Sequence, residues 1–382
     1  LSTASKLLSK NPKLEIGIIE PSEKHYYQPA WTLVGGGAYN IADTVRNEAD
    51  FIPKGATWIK DAVAVFQPEE NTVTTRDGKT IGYDYLVVCP GIQLNWSQVE
   101  GLPETLGKNG VCSNYSFQYA PYTFECLKNL KSGTAIFTAP SGAVKCGGAP
   151  QKIMYLAADY IRRAGLADKV NVEFCTAGGV IFGIEKYAKT LRKVVERYKI
   201  GTHFKHDLIR VDGAAHEATF KVTAPDGSVS EETRHFDLLH ITPPQSAPDF
   251  IRNSPLANPA GWVDVDKFTL RHNKYPNIFS LGDASGMPNS KTGAAVRKQA
   301  PVLVQNLLAV MAGQTPEAKY NGYSSCPIIT GYGKLMLAEF DYDNQPTETF
   351  PFDQSKERWS MWMLKRYVLP WLYWNQILQG RM

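Results

Sequence analysis

The sequence predicts an α/β protein of two Rossmann-like domains, one inserted in the other, followed by an amphipathic C-terminal segment. Short apolar runs alternate with amphipathic helical stretches along most of the 382 residues. Two small β-meanders with Asp-Gly turns interrupt this alternation. At roughly 100–200 residues per domain, the length fits two or three domains. We expect a first domain at 1–115 and 257–320, a second at 116–256, and a C-terminal region at 321–382.

The N-terminal residues are typical of the second half of a dinucleotide-binding βαβ unit. Residues 1–10 have helical spacing, and 14–20 predict a buried strand that ends at Glu20. The glycine loop of such a unit would stand upstream, and none precedes Leu1. Either Glu20 is an ordinary strand-end carboxylate, or the sequence is cut at its N-terminus. We expect the second, because a parallel sheet without a central strand leaves buried backbone unpaired.

The later elements follow from apolar runs that stop at Pro or Gly and from helical periodicity. The predicted strands are 72–75, 80–81, 85–89, 134–138, 170–175, 238–242 and 278–281, with a second meander over 211–227. The predicted helices are 151–163, 184–199 and 293–312.

Composition excludes several functional classes. Hydrophobic residues make up 43% and charged residues 20%, which excludes a disordered or collagen-like chain. The formal net charge of +4 is too small to indicate nucleic-acid binding as the main function. Six cysteines are too few for a disulfide scaffold, and no C-x-x-C pair is present. No run of 18 apolar residues predicts a membrane-spanning helix.

Residues 359–382 combine aromatic and basic side chains and contain no acid. They hold half of the eight tryptophans, and Lys365, Arg366 and Arg381 are their only charges. Pro370 is expected to split the stretch into two segments, each too short to span a bilayer. Short, basic, aromatic-rich helices are typical of the membrane headgroup boundary, so we expect a membrane-docking segment. A tail that packs in the core or forms a homo-oligomer is the alternative.

The predicted strand 278–281 delivers Gly282 and Asp283 to its C-terminal tip. Ligands of parallel α/β sheets bind beyond the carboxyl ends of the strands. Glycine lets the backbone approach a ligand, and the carboxylate accepts hydrogen bonds from sugar-alcohol hydroxyls. Glu20, together with Lys298 and Gln299 on the following helix, strengthens the prediction of a ligand site.

Two cysteines lie outside the predicted core strands, and Cys146 is in a Gly-Gly-Ala-Pro loop. Cys146 precedes a helix whose first turn is expected at Pro150, and both the helix N-terminus and Lys145 would stabilise its thiolate. Cys326 lies between Tyr323 and a Thr-Gly-Tyr-Gly turn. The alternative for any cysteine is a small buried hydrophobe. We expect that role for Cys89, Cys126 and Cys175, while Cys112 is ambiguous.

Five stretches spread over nearly the whole chain carry a family resemblance: 20–29, 144–152, 261–266, 323–332 and 349–358. With the strand-terminal Gly-Asp pair, they resemble the flavoprotein disulfide-reductase superfamily. Within it, the sequence is similar to the sulfide:quinone oxidoreductase family, of the two-cysteine type that includes the mitochondrial enzymes. The missing glycine loop departs from that pattern.

The resemblance implies a site, a cofactor and partners. Its redox cysteines would be Cys146 and Cys326, paired as a disulfide or through a bridging sulfur, which oxidise hydrogen sulfide to sulfane sulfur. FAD would contact Glu20, Gly91, Gly282, Asp283, Lys298 and Gln299. Electrons would pass to ubiquinone or another membrane quinone in a pocket lined by Tyr332 and Phe340. Glutathione, coenzyme A or sulfite would accept the sulfur. The protein would lie on the mitochondrial inner membrane or the bacterial cytoplasmic membrane.

The loop after strand 134–138 argues against a nicotinamide reductant. A glycine-rich phosphate turn would stand there, but Pro140 removes a donor and the second glycine is absent. We therefore expect sulfide as the reductant. Two other functions stay open: a flavin subunit that passes electrons to a cytochrome, and a non-catalytic membrane-surface protein of the same fold. No metal site is expected. We expect ordinary surface or core positions for the four histidines that could suggest one, His203, His206, His235 and His240.

Overall fold

A computed structural model describes all 382 residues and has the predicted α/β architecture. The α-helices are α1 Ser2–Lys10, α2 Trp31–Gly35, α3 Leu102–Thr105, α4 Ala120–Asn129, α5 Ala149–Arg163, α6 Glu185–Tyr198, α7 Asp249–Arg252, α8 Gly293–Met311, α9 Trp359–Met363 and α10 Leu369–Leu372. The strands are β1 Ile16–Ile19, β2 Lys24–Tyr26, β3 Val45–Asn47, β4 Ala56–Ile59, β5 Val63–Gln67, β6 Thr72–Thr75, β7 Thr80–Gly82, β8 Leu86–Val88, β9 Gln93–Leu94, β10 Val111–Cys112, β11 Gly133–Ala139, β12 Val170–Thr176, β13 Gly201–Phe204, β14 His206–Asp212, β15 Glu217–Thr223, β16 Val229–His235, β17 Leu238–His240, β18 Gln245–Ser246, β19 Ile278–Ser280, β20 Ser324–Gly331 and β21 Lys334–Phe340.

The middle of the chain forms a five-stranded parallel sheet in the order β10-β17-β11-β12-β13. β11 and β12 pair over seven residues each and are apolar enough to be covered on both faces. α5 packs against both strands. Residues 140–148 join β11 to α5, so this loop leaves the carboxyl end of the sheet. β10 precedes residue 116, the boundary expected for the second domain, yet it pairs with β17 in this sheet.

The flanking segments, early and late in the chain, form a second α/β unit. β1 pairs with β4 and β8 pairs with β19, both in parallel, as two separate two-stranded sheets. α8 packs against α1 and β19, and β5, β6 and β7 form the predicted Asp-Gly meander. Because β8 and β19 are parallel neighbours, residues 89–91 and 281–283 follow them at the same edge.

The hairpin of β20 and β21 packs against both units, because β20 contacts α5 of the first and α8 of the second. β20 packs along α5, and its apolar residues Ile328 and Ile329 belong to the largest buried cluster of the protein. The contact brings the start of β20 to the start of α5. Segments that are far apart in the sequence therefore meet at the loop before α5.

The tail is one helical stretch, so the expected split at Pro370 is wrong. It runs from α9 through a wide π-helical turn, Leu364–Val368, then α10 and a second wide turn, Tyr373–Ile377. Pro370 occupies the first turn of α10, where the preceding wide turn accommodates its missing N–H.

The tail has one buried face and one exposed face. Trp362 and Trp374 are 5% and 2% exposed and pack into the protein. Trp359 and Trp371 are 65% and 56% exposed on the other face. No helix in the structure combines the length and apolar character that crossing a bilayer requires.

Candidate active site

The structure brings Cys146 and Cys326, 180 residues apart in the sequence, to within 3.0 Å of each other at their sulfur atoms. Cys146 lies in the loop that precedes α5, and its φ of +89° is unusual for a residue with a side chain. Its carbonyl accepts a hydrogen bond from the N–H of Ala149, which begins α5. Cys326 was expected away from any core strand, but it is the third residue of the buried strand β20 and is 1% exposed. The pair thus joins a helix N-terminus to the hairpin.

Gly148 leaves the space that this approach requires. A Cβ atom at Gly148 would lie 2.7 Å from the Cys326 sulfur, and it would also crowd Ile328. A Cβ at the adjacent Gly147 would meet nothing within 4 Å. Only the second glycine of the Cys-Gly-Gly sequence is therefore required for packing against Cys326.

Lys152, in the first turn of α5, provides the nearest positive charge. Its Nζ donates a hydrogen bond to the Cys146 sulfur at 3.1 Å, and the side chain is buried. A hydrogen bond from Cys326 and the charge of Lys152 lower the pKa of the Cys146 thiol well below its ordinary value, against the effect of burial. The same hydrogen bond and burial raise the pKa of Cys326. Cys146 is therefore the thiolate of the pair.

Lys365 also faces this pair, which corrects its expected place among the membrane-facing charges of the tail. Its side chain is 3% exposed, and its Nζ donates a hydrogen bond to the carbonyl of Pro29 at 2.9 Å. Burial and the charge of Lys152 lower its pKa to about 7, while Cys146 and Cys326 act in the opposite direction. The wide turn at 364–368 thus places Lys365 on the buried face of the tail.

Two more lysines lie beside the cysteine loop, because Lys145 precedes Cys146 and Lys291 forms a backbone β-bridge with Lys145. Lys145 donates a hydrogen bond to Gln28, and Lys291 donates one to the carbonyl of Ser285. Burial lowers the pKa of each lysine to about 8, and the Asp283 carboxylate partly offsets this effect. The cysteine pair therefore lies in a cationic environment that favours anions.

Asp283 lies at the strand edge where a ligand was expected. Burial raises its pKa, while Lys291 and Lys145 act through charge alone and no hydrogen bond contributes. Gly282 beside it has a φ of +76°, and Gly91 across the same edge has a φ of +84° with open space around it. A half-buried carboxylate without a hydrogen-bond partner, flanked by two partly exposed glycine turns, fits a ligand rich in hydroxyl groups.

Glu20 follows β1, as predicted. One carboxylate oxygen accepts a hydrogen bond from the N–H of Ser22 at 2.7 Å, which leaves the other oxygen without a partner. Burial raises the pKa of Glu20, and the Ser22 hydrogen bond opposes that rise. This arrangement fits a carboxylate that also binds ribose hydroxyls. Together with Asp283 and the two glycines, it fits a flavin dinucleotide.

Lys298 and Gln299 lie in the second turn of α8, not at its start. The helix begins at Gly293, and Thr292 caps it by accepting a hydrogen bond from the N–H of Ala295. Gln299 is buried and accepts a hydrogen bond from the N–H of Gly282 at 3.0 Å. Lys298 is exposed and lies over the ring of Tyr323. Gln299 therefore supports the Gly-Asp turn, and the capped helix N-terminus lies at Gly293, one and a half turns earlier.

Tyr332 and Phe340 do not lie together. They occupy opposite ends of the hairpin, because Phe340 pairs with Ser324 whereas Tyr332 lies in the turn after Gly331. The Tyr332 hydroxyl donates to the carbonyl of Gly36, and its ring lies near Trp362 of the tail. Phe340 lines a different cavity of about 280 Å³. One pocket lined by both residues is therefore ruled out.

That cavity reaches the cysteine loop. Its lining includes Gly147, Gln151, Phe182 and Phe340. Because Gly147 is the neighbour of Cys146, the cavity gives solvent a route towards the pair.

The other cysteines and the histidines have mixed environments. Cys175 is buried as expected, but Cys89 is exposed at the strand edge near Glu20, which corrects its assignment to the core. Cys112 is buried beside Cys126, which is half-buried and not fully buried as expected. Burial lowers the pKa of His240 to about 3. The other histidines of interest contact charged or aromatic neighbours: His203 and His206 with each other, and His235 with His216.

Sequence reasoning did not identify Lys152, Lys291 or Lys365 as site residues. The one available signal was the position of Lys152, six residues after Cys146 and in the first turn of α5. Lys291 and Lys365 carry no local signal, because only the fold brings them to the cysteine loop.

Comparisons with known proteins identify the family of this chain. No family model matches the sequence. The chain is 52% identical over 384 residues to a Dictyostelium discoideum protein named mitochondrial sulfide:quinone oxidoreductase, and the match covers all of this chain and 84% of the relative.

Two solved structures have the same fold. A chain in the cryo-EM structure of the Tetrahymena thermophila mitochondrial ATP synthase aligns with a TM-score of 0.86 at 21% identity, covering 100% of this chain and 94% of that one. The sulfide:quinone oxidoreductase of Aquifex aeolicus aligns with a TM-score of 0.83 at 20% identity, covering 99% and 89%. The extent and identity of the D. discoideum match show that this chain belongs to the sulfide:quinone oxidoreductase family.

Proposed function

We propose that this protein oxidises hydrogen sulfide to sulfane sulfur at Cys146 and Cys326 and passes the electrons through FAD to a membrane quinone. The 3.0 Å approach of the two sulfur atoms, with Lys152 bonded to Cys146, is the observation that carries the proposal. Two thiols this close can alternate between a disulfide and a thiolate–persulfide pair. A non-catalytic protein of the same fold has no need of such an arrangement.

The first step is attack by hydrosulfide on the disulfide. The new S–S bond forms at Cys326, the Cys146–Cys326 bond breaks, and Cys146 leaves as a thiolate. Lys152 stabilises the departing Cys146 thiolate. Cys146 has the lower pKa of the two cysteines and is therefore the better leaving group. Cys326 then carries a persulfide, and the electron pair rests on Cys146.

The second step transfers the sulfane sulfur. A thiol such as glutathione or coenzyme A, or sulfite, attacks the outer sulfur of the Cys326 persulfide and releases the Cys326 thiolate. The cavity at Gly147 is open to solvent and adjoins the cysteine loop, so we assign it to hydrosulfide and the acceptor. The two reduced cysteines must then lose two electrons to re-form the disulfide.

The residues at the strand edge would hold FAD. Asp283 and Glu20 would accept hydrogen bonds from its hydroxyl groups, and Gly91 and Gly282 would let the backbone approach it. When bound, the flavin supplies a two-electron acceptor that neither cysteine can provide. Asp283 and Cys146 influence each other electrostatically, which supports Cys146 as the cysteine on the flavin side. We keep the early and late segments as the FAD domain on this basis.

The tail would bring the protein to the quinone. Its exposed Trp359, Tyr367 and Trp371 form an apolar face of the kind that lies in a membrane interface. Tyr332 contacts the buried side of this tail near Trp362, so we retain it, without Phe340, as a quinone contact. The relative's name favours the mitochondrial membrane.

NADH is not expected to be the reductant. In the loop after β11, the N–H of Ser141 donates to Asp207 and the N–H of Lys145 donates to Gln245. These side chains occupy donors that a nicotinamide phosphate would need, and Pro140 has none.

Turnover with sulfide, sulfite and a short-chain quinone tests the proposal. Cys146→Ser and Cys326→Ser should each lose at least a thousandfold in turnover, while the buried control Cys175→Ser keeps its rate. If either catalytic variant kept its rate and its sulfur product, the two-cysteine mechanism would be wrong.

A further inference from the structure

A cavity of about 650 Å³ lies between the tail and the segment around β3. Tyr39, Asp43 and Arg46 line it from one side, and Arg366 and Trp374 line it from the other. It is separate from the cavity at Gly147, with which it shares no lining residue. None of its residues has a role in the sulfur chemistry proposed above.

Two arginines in this cavity lack acidic partners. Neither Arg46 nor Arg366 forms an ion pair, although sixteen such pairs occur elsewhere. Arg46 stacks over the ring of Trp374 at 4.6 Å, and Arg366 over that of Tyr367 at 5.2 Å. Aromatic stacking orients a guanidinium while leaving its N–H donors free to bind an anion.

The pKa of Tyr39 indicates that the charges of Arg46 and Arg366 both act on the interior of this cavity. Burial and the Asp43 carboxylate raise the pKa of the Tyr39 hydroxyl, and Arg46 and Arg366 both oppose that rise. With two positive charges against the single negative charge of Asp43, the cavity has a net positive charge.

The surroundings indicate where the anion comes from. Tyr367 and Trp371, which also line the cavity, are 52% and 56% exposed, and Val368 between them is 43% exposed. This apolar rim would lie in the headgroup boundary of a bilayer, at the depth of the lipid phosphates. A quinone is uncharged and would not require two guanidinium groups, whereas a phosphate matches their paired donors.

We propose that this cavity binds the phosphate of an anionic phospholipid, held between Arg46 and Arg366 while the rim of the tail enters the bilayer. The proposal rests on the membrane docking proposed above and adds to it a lipid class and a binding site. It predicts that the protein distinguishes anionic from neutral bilayers, and that the discrimination falls at high salt.

Flotation with two kinds of vesicle tests this inference on the flavin-loaded protein. One kind is phosphatidylcholine alone, and the other contains one-fifth phosphatidylglycerol. The wild type should bind the anionic vesicles more tightly. Arg46→Gln/Arg366→Gln should lose this preference, because its affinity for the anionic vesicles should fall about fivefold for each arginine removed. Its binding to neutral vesicles should stay as in the wild type. Arg46→Lys/Arg366→Lys should keep most of it, which guards against a folding defect.

Two further variants complete the test. Arg76→Gln/Lys79→Gln removes the same charge from an exposed turn of the β6–β7 meander and should leave the preference intact. Asp43→Asn should increase the preference about fivefold, because it removes the only acid lining the cavity.

Each outcome decides one point. Equal wild-type binding to both vesicles would overturn the lipid site while leaving membrane docking intact, and binding to neither would overturn the docking as well. Loss of turnover with a short-chain quinone in Arg46→Gln/Arg366→Gln, without vesicles, would assign the cavity to the quinone instead. Calorimetry with inorganic phosphate would overturn the lipid assignment if the free ion bound as tightly as the vesicles. Unchanged turnover and loss of the anionic preference would support the proposal.

Discussion

The ammonium group of Lys152, in the first turn of the helix that begins beside Cys146, lies 3.1 Å from the sulfur of that cysteine. Lys152 is buried and Cys146 is half-buried, so their opposite charges are only weakly screened by water and interact strongly. The contact decides which of the two cysteines leaves as a thiolate when the disulfide is attacked. The direction of the sulfur chemistry therefore depends on a residue outside the Cys-Gly-Gly loop.

Removing that charge should raise the pKa of the Cys146 thiol. An opposite charge at this distance lowers a pKa by about 1–3 units, so Lys152→Met should slow alkylation of reduced Cys146 at pH 7 by about tenfold or more. Lys152→Arg should retain most of the reactivity, and Lys189→Met, on the exposed face of α6, should change nothing. Alkylation rates between pH 5 and 9 measure the effect. An unchanged profile in Lys152→Met would rule out its role.

Gly148 should tolerate no side chain. The added methyl group of Gly148→Ala would lie 2.7 Å from the Cys326 sulfur, so the hairpin or the loop must move and separate the two cysteines. We expect turnover to fall at least tenfold, with a cost of about 1–3 kcal/mol in the free energy of unfolding. Gly147→Ala is the matched control, because its methyl group would meet nothing. Equal turnover in the two variants would contradict the packing argument.

Asp283 should determine how tightly the flavin is held. Hydrogen bonds to a charged group contribute about 1.5–3 kcal/mol, so Asp283→Ala should weaken flavin binding by about 10- to 150-fold. The ratio of visible to ultraviolet absorbance after dialysis reports the retained flavin. Asp343→Asn, in the exposed turn after β21, should retain as much flavin as the wild type. Full retention in Asp283→Ala would remove this residue from the cofactor site.

Lys365 should make stability depend on pH. Its pKa falls from 10.5 to about 7 on folding, so between these values the unfolded chain holds a proton that the folded protein lacks. The free energy of unfolding therefore rises with pH across this window, by up to about 1.4 kcal/mol per pH unit. Below pH 7 the buried charge destabilises the protein most.

Lys365→Met removes this contribution. Denaturant unfolding at pH 7, 8 and 9 should show the wild type gaining stability relative to the variant at each step. A difference between the two proteins that stays constant over this range would contradict the burial of Lys365.

The sequence predicted the local features of this molecule well. β8, β11, β19, α5 and α8 follow from apolar runs and helical periodicity, and the Asp-Gly turns identified both meanders. The strand-end positions of Glu20 and Asp283 could also be read directly, because the pattern that ends a strand is local.

What the sequence could not predict depends on contacts between distant segments. Lys365 was grouped with Arg366 as a surface charge, because nothing local distinguishes the inward side of a wide helical turn from the outward side. Tyr332 and Phe340 are close in sequence, but the hairpin separates them. The role of Pro370 was misjudged because a preceding π-helical turn can accommodate a proline that would break a regular helix.

An anaerobic visible spectrum of the flavin-loaded protein tests the central claim most directly. Sulfide should bleach the flavin, added quinone should restore it, and NADH should leave it unchanged. Cys146→Ser and Cys326→Ser should fail to bleach with sulfide while keeping their flavin. A flavin that ignores sulfide and bleaches with NADH would contradict the account, because electrons would then enter without the cysteine pair.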